Sequence, residues 1–121
     1  MRYCTEDAYF TVKEVDLGIV ADIGTLQRLP RILQPGLVAE LAFTGRKMYG
    51  PEALTNGMVN RTFPDRNTLI SGVTKVATAI ATKPTKVVQG IKTNLLYKRE
   101  HNTEQSLKYV ARFSANLLLG K

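Results

Sequence analysis

Cysteine, histidine and tryptophan are almost missing from this 121-residue sequence, which has one cysteine, one histidine and no tryptophan. Cys4 has no partner for an intramolecular disulfide, and no histidine near it could activate a thiol. His101 is the single histidine, and no cluster of His, Cys and carboxylates at ligand spacing occurs in the sequence, so no metal site is expected. Cys4 is interpreted as a small buried strand residue, and His101 as a surface cap at the start of a helix.

Long apolar runs are missing too. No stretch approaches the roughly 18 to 20 apolar residues that cross a bilayer, and the first ten residues do not resemble a signal peptide. The apolar share of 44% is enough for the core of one soluble globular domain. The formal net charge of +7 predicts attraction to phosphate-bearing partners such as CoA thioesters or nucleic acid.

Two short strands are predicted within residues 2–15, where aromatic and β-branched residues nearly alternate around a turn at Thr5 to Asp7. Two strands alone form a marginal sheet, so they are expected to belong to a larger sheet whose other strands lie outside this chain. A further extended piece is predicted at residues 58–63.

Most of the remaining sequence is predicted to be helical. Pro35 and Gly36 mark a break between two helices. Asn102 and Gln105 stand at capping-box spacing at the start of the last helix, which is predicted to end near Gly120. The apolar positions of the predicted helices are Leu26, Leu29 and Leu33; Val38 and Leu41; Leu69, Val73, Val76 and Ile80 within residues 67–82; Val88, Ile91 and Leu95 on a buried face after Pro84; and Leu107, Val110 and Leu117.

Three acidic residues, Glu14, Asp16 and Asp22, lie where the pattern passes from a strand through a glycine-containing loop into a helix. Rigid elements on both sides of such a loop favour functional sites. Two carboxylates that converge on one apolar pocket can act as base and acid on one substrate. From the residues alone, Asp22 can equally be the N-cap of a helix starting near Ile23. Glu14 can be an exposed charge at a strand end, and Asp16 a solvated side chain.

Two runs, EVDLG at residues 14–18 and GTLQRLP at residues 24–30, resemble a segment of the enoyl-CoA hydratase/isomerase (crotonase) family. That segment is usually written PExxLGxxPGxGGTQRLP. The resemblance covers essentially the whole chain, and it continues through residues 39–46, 52–54, 57–60 and 92–94.

This resemblance implies an α/β crotonase fold, of which the chain is a single C-terminal fragment with two short N-terminal strands followed by mostly α-helix. Residues 1–33 are then the end of the core sheet and the active-site loop. Residues 34–121 are a helical part that includes trimerisation helices.

Ala21 and Asp22 stand where the hydratases of the family have a proline and the first glycine of a glycine-rich loop. An aspartate at this place resembles the delta(3,5)-delta(2,4)-dienoyl-CoA isomerase branch, which acts in fatty acid β-oxidation. The resemblance implies that Asp22 takes the α proton of a 3,5-dienoyl-CoA and that Glu14 delivers a proton at the far end of the diene. The acyl-CoA thioester is the substrate, and no separate cofactor is implied.

In the family, an oxyanion hole of two backbone N–H groups and a third acidic position lie upstream of the matched residues. One oxyanion donor is worth roughly 3 kcal/mol in the transition state, so the chain alone is expected to be inactive or nearly so. Family membership further implies a homo-oligomer, a trimer or hexamer at full length, in the mitochondrion or the peroxisome.

Other functions stay open. Within the family, the alternatives are an enoyl-CoA hydratase and an enoyl-CoA isomerase. A third interpretation is an assembly role for the C-terminal helices. A fourth is RNA binding, although no RNA-binding motif is present; the residues that suggest it are Lys83, Lys86, Lys92, Lys98 and Arg99, with Tyr97.

Overall fold

The computed structural model of the protein describes residues 1–119. The chain divides into two compact units, Met1–Thr74 and Lys75–Lys121. The candidate acidic residues all belong to the first unit.

The strands form two separate pairs. The two strands expected near the start are present, and Cys4 is buried in the first of them, as predicted. Each strand has one partner within the chain: the first strand pairs in parallel with the fourth, and the second pairs antiparallel with the third. The fourth strand lies in the segment that was predicted to be extended, whereas the third was not anticipated. The strands are β1 (Tyr3–Thr5), β2 (Tyr9–Phe10), β3 (Met48–Tyr49) and β4 (Arg61–Phe63).

Helices make up most of the rest of the described chain. Proline stands in the first turn of two of them, where its missing N–H leaves no hydrogen bond unmade. The helix expected at residues 67–82 is shifted by one residue. The helices are α1 (Thr25–Arg28), α2 (Pro35–Thr44), α3 (Gly50–Thr55), α4 (Arg66–Ala81), α5 (Thr85–Tyr97) and α6 (Thr103–Leu119), with 3₁₀ helices at Glu14–Leu17 and Leu29–Arg31.

The capping box at the start of α6 is confirmed. The Gln105 N–H donates to Asn102 Oδ1 at 2.9 Å, and the Asn102 N–H donates to Gln105 Oε1 at 3.1 Å. His101 was expected to cap the start of a helix, but it lies at a helix end instead. Its Nδ1 atom is 2.8 Å from the carbonyl oxygen of Tyr97, the last residue of α5. The predicted helix end at Gly120 lies outside the described residues.

The buried face predicted for α5 is wrong in part. Val88 is half-buried, but Ile91 and Leu95 are 56% and 66% exposed. The covered side of α5 carries Gly90, against which the ring of Phe113 from α6 lies. A glycine admits an aromatic ring close to the helix backbone, which accounts for the approach of Phe113 to Gly90.

The core of the first unit joins the strands to the loop of the acidic residues. Val38 and Leu41 of α2 are buried, as their helical spacing predicted. Leu33 is also buried, but it follows the 3₁₀ helix Leu29–Arg31 and is not on one helix with Leu26 and Leu29. Ala21, in the middle of the loop, is also buried, which ties the loop to the core. The buried apolar residues are Cys4, Val12, Ala21, Leu33, Val38, Leu41, Met48, Ala53 and Val59.

Candidate active site

Glu14 opens a 3₁₀ helix rather than ending a strand. The residue two positions earlier, Val12, is buried in the core, so the chain enters this turn from a fixed point. The turn closes at Gly18, which has a φ of 71° and donates its N–H to the Val15 carbonyl at 3.2 Å. The Ile19 N–H then donates to the carbonyl of Glu14 at 3.1 Å. The backbone of Glu14 is therefore held on both sides.

The side chain of Glu14 lines a small apolar cavity of about 200 Å³. Glu14 is half-buried, so the interpretation of an exposed charge is wrong. Among residues 1–119 its carboxylate has neither a hydrogen bond nor an ion pair, which leaves it available to a bound molecule. We call this cavity the Glu14 pocket; its other lining residues are Val12, Val15, Ile19, Val20, Ala21, Leu26, Ala42 and Phe43.

Asp22 lies at the other end of the same loop. It is exposed, in a turn that directly follows Ala21. The N-cap interpretation is wrong, because α1 begins after Gly24, which has a φ of 99°, and no side chain caps this helix. The structure brings Ala21 into the wall of the Glu14 pocket, whereas Asp22 is not among the lining residues. Within the described part of the chain the Asp22 carboxylate has no hydrogen-bond or ion-pair partner.

Asp16, the third acidic residue, is exposed and forms an ion pair with Lys13. Its carboxylate is therefore solvated and already paired, as the sequence suggested. Asp16 therefore differs from Glu14 and Asp22, whose carboxylates have no such partner among the described residues.

Apolar side chains of the loop face outward around these acids. Val20 and Ile23 are 73% and 80% exposed, and Leu17 and Ile19 are also exposed. Clustered exposed apolar residues commonly mark a surface that binds an apolar ligand or another protein. The loop therefore offers apolar surface next to its carboxylates.

A second apolar cavity, of about 400 Å³, adjoins the first through a shared residue. Val12 lines both cavities, and Leu41 and Met48 of the core line the larger one. Its remaining lining residues are Tyr9, Phe10, Thr11, Thr25, Leu29 and Met58.

Gly45 is a site residue that the sequence analysis missed. It follows α2 with a φ of 61°, and the hydroxyl of Thr11 donates to its carbonyl at 2.8 Å. A Cβ atom at Gly45 would lie 3.0 Å from Asp16 Oδ2 and 3.1 Å from Val15 Cγ1. A glycine after a helix predicts a helix end, but its contact with the turn of Glu14 depends on the fold.

We expect Gly45→Ala to destabilise the chain and to displace the turn that carries Glu14. The left-handed backbone costs a residue with a Cβ about 1 to 2 kcal/mol, and the close approach of Val15 adds to this cost. Gly57→Ala is the matched control, because Gly57 has a φ of 75° and open space around its Cβ position. Denaturant unfolding measures both variants; equal losses of stability would contradict a tight contact at Gly45.

Arg46, the next residue, joins two helices through ion pairs. Its guanidinium donates to both carboxylate oxygens of Glu52 in α3, at 2.6 and 2.9 Å, and to Glu40 Oε1 in α2 at 2.5 Å. The hydrogen bonds that Arg46 donates hold the pKa of the Glu52 carboxyl below its ordinary value. The hydrogen bonds that Glu52 and Glu40 accept from the guanidinium raise the pKa of Arg46. The family resemblance covers these residues but assigned no role to them.

The basic residues of the RNA-binding interpretation lie in or beside α5 and are all exposed; they are Lys83, Lys86, Lys92, Lys98 and Arg99. Lys86 and Lys92 are six positions apart, so a helix places them on different sides. The first unit has eight basic and eight acidic residues, and residues 75–121 have nine basic and two acidic ones. The net charge therefore belongs to the second unit, but it is not arranged along one face of α5.

Residues 1–119 gather no group of three or more His, Cys, Asp and Glu side chains that could hold a metal ion. None of the helices described is both long and apolar enough to cross a membrane.

The sequence and fold are similar to those of known CoA enzymes. A mitochondrial delta(3,5)-delta(2,4)-dienoyl-CoA isomerase from Rattus norvegicus is 48% identical over 119 residues, which are 98% of this chain and 36% of that protein. A peroxisomal protein of the same name from Arabidopsis thaliana is 47% identical over 98% of this chain and 43% of its own length. The chain thus spans about two fifths of the relatives that it matches.

The fold is similar to solved structures along nearly all of the chain. A putative enoyl-CoA hydratase/isomerase from Mycobacterium abscessus superimposes with a TM-score of 0.88 and 24% identity, over 98% of this chain and 48% of that one. This likeness confirms the predicted crotonase fold. The sequence pattern of the family described as enoyl-CoA hydratase/isomerase matches residues 1–117. The chain therefore belongs to the enoyl-CoA hydratase/isomerase family.

Proposed function

We propose that the protein carrying this chain is a dienoyl-CoA isomerase, which converts a 3,5-dienoyl-CoA into the 2,4-dienoyl-CoA. The observation that carries the proposal is a pair of carboxylates, Glu14 and Asp22, at the two ends of one loop, neither of which has a hydrogen-bond or ion-pair partner among residues 1–119. Ala21 is in the wall of the Glu14 pocket, and Asp22 follows it directly. The likeness to relatives named dienoyl-CoA isomerases supports the same reaction.

In the proposed mechanism, Asp22 is the base that removes the α proton of the thioester. The electron pair of the broken C–H bond moves into an extended dienolate. Glu14, in its protonated form, then delivers a proton to the far end of this system, and the double bonds become conjugated with the thioester. Asp22 ends the step protonated and Glu14 ionised, so a proton exchange restores both groups. Two groups are needed because the reacting carbons lie too far apart for one side chain.

Apolar surroundings suit this reaction. The acyl chain of the substrate is apolar, and the Glu14 pocket and the exposed side chains of Val20 and Ile23 offer apolar surface. The thioester oxygen needs hydrogen-bond donors as negative charge develops on it. The family resemblance assigns these donors to a segment that precedes the matched residues. In this proposal the acyl-CoA is the substrate and no separate cofactor takes part.

The loop also distinguishes the isomerase from a hydratase. In hydratases of the family, the resemblance assigns a glycine to the position of Asp22. Hydration needs a bound water, whereas isomerisation needs a second protein group that exchanges a proton with the acyl chain. A carboxylate at position 22 supplies such a group, so we rank the isomerase above the hydratase.

A chimera tests this choice directly. We expect a rat relative whose matching 119-residue segment is replaced by this chain to isomerise 3,5-dienoyl-CoA, because both proposed proton-transfer groups then come from this chain. The appearance of the conjugated product is followed by its ultraviolet absorbance. Hydration of a 2-enoyl-CoA is measured in parallel, with the unaltered rat protein as the control. A folded chimera that adds water but does not isomerise would refute the proposal.

Two further parts of the proposal concern the compartment, which the names of the relatives support, and the assembly, which the family resemblance supports. We infer that the protein acts in the mitochondrion or the peroxisome and that it assembles as a homo-oligomer. The exposed apolar residues of α5, Ile91 and Leu95, are consistent with such an assembly.

A further inference from the structure

We infer that Arg46 is a positioning residue for Glu14, acting through the segment that joins α2 to α3; this inference rests on the proposed isomerase function. We call residues 45–50 the Arg46 connector; they join α2 to α3 and include Gly50, the first residue of α3. Arg46 does not line the Glu14 pocket, so any effect on proton transfer has to pass through the backbone between them.

The Arg46 connector runs alongside the segment that leads into Glu14. Tyr49 and Met48 pair with Tyr9 and Phe10 in the β2–β3 ladder. The Gly50 N–H, within the connector, also donates to the carbonyl of residue 8 at 2.9 Å. The contacts between the connector and the segment that leads into Glu14 therefore begin at residue 8, six residues before Glu14.

The contacts continue on both sides of Glu14. The Thr11 hydroxyl donates to the Gly45 carbonyl at 2.8 Å. Gly45 also lies against Val15 and Asp16, the two residues after Glu14. The connector therefore contacts the chain before and after the carboxylate, and its position sets the position of the turn.

Arg46, the second residue of the connector, ties it to both neighbouring helices. The paired bonds to Glu52 tie it to α3, and the bond to Glu40 ties it to α2. A further N–H donates to the Lys47 carbonyl, within the connector itself, at 3.2 Å. A guanidinium can satisfy several acceptors in one plane, whereas a lysine ammonium cannot reproduce this fork. This set of hydrogen bonds therefore depends on the guanidinium of arginine, and not on positive charge alone.

A double-mutant cycle tests the inference in the full-length protein that carries this chain. Glu14→Gln and Arg46→Met are made singly and together, and kcat and KM are measured for 3,5-dienoyl-CoA. We expect Arg46→Met to lower kcat about 10-fold with little change in KM, since a misplacement near 1 Å costs up to about 100-fold. In the Glu14→Gln background the same change should lower kcat by less than about 2-fold, because the group that Arg46 positions is already absent.

Two controls separate positioning from general damage. Lys108→Ala removes an exposed ion pair with Glu104 in α6 and should leave kcat unchanged. Arg46→Lys keeps the charge but not the fork; it should lower kcat as Arg46→Met does, and it serves as the test if the methionine variant does not fold.

The outcomes are distinguishable. If the losses of kcat from Arg46→Met and Glu14→Gln multiply in the double variant, Arg46 does not act through Glu14 and the inference is wrong. An Arg46→Lys variant with unchanged kcat would contradict it equally. If Glu14→Gln by itself leaves kcat unchanged, the proposed function fails as well.

Discussion

Replacing Glu14 by glutamine in the full-length protein is expected to lower kcat for isomerisation of 3,5-dienoyl-CoA by about 10²- to 10⁴-fold, the usual contribution of one proton-transfer group. Glutamine has nearly the same shape, and Glu14 has no hydrogen-bond partner to lose among the described residues. The fold and KM should therefore change little. Asp22→Asn should cause a loss of similar size, because the amide cannot accept the α proton.

Asp16→Asn is the matched control for both variants. It changes the net charge by the same amount in the same turn as Glu14, but Asp16 is exposed and paired with Lys13. Its kcat should stay within about 2-fold of the parent, because surface ion pairs contribute little. A variant of Glu14 or Asp22 that keeps the parent kcat would exclude that residue from proton transfer.

The second large effect is expected in the core of the first unit. Leu41 is 2% exposed and lies in α2 among the buried residues that include Val38 and Ala21. Leu41→Ala should lower the free energy of unfolding by about 2 to 5 kcal/mol, since it removes buried apolar contacts and leaves a cavity. Guanidinium unfolding followed by circular dichroism measures the change.

Leu107→Ala makes the same substitution at a residue of α6 that is 62% exposed. It should change stability by less than about 0.5 kcal/mol, as is usual at exposed sites. Equal destabilisation by the two variants would mean that Leu41 is not part of a tightly packed core.

Local signals in the sequence predicted local structure well. The spacing of Asn102 and Gln105 predicted a capping box because both hydrogen bonds lie within one turn of helix. The helical period placed Val38 and Leu41 in the core because both lie on one apolar face of α2. In both cases the residues that decide the outcome are close together in the chain.

Features that depend on distant residues were not predicted. The two-residue strand β3 is defined by its pairing with β2, far away in the sequence. The helical period reveals neither that Ile91 and Leu95 are exposed nor that Phe113 of α6 lies against Gly90. The family resemblance singled out Glu14 and Asp22. The contact of Gly45 with the turn of Glu14 joins residues far apart in the sequence, so only the three-dimensional structure reveals it.

The two left-handed glycines that bracket the loop, Gly18 and Gly24, have a consequence for how substrate preference can change. Between them only Ala21 is buried, whereas Ile19 and Val20 are exposed at the edge of the Glu14 pocket. Exposed side chains can vary in size at small cost to folding, but a larger residue in place of Ala21 would crowd the core. In the proposed isomerase, acyl-chain selectivity can therefore change through substitutions at Ile19 and Val20 while the backbone between the glycines stays the same.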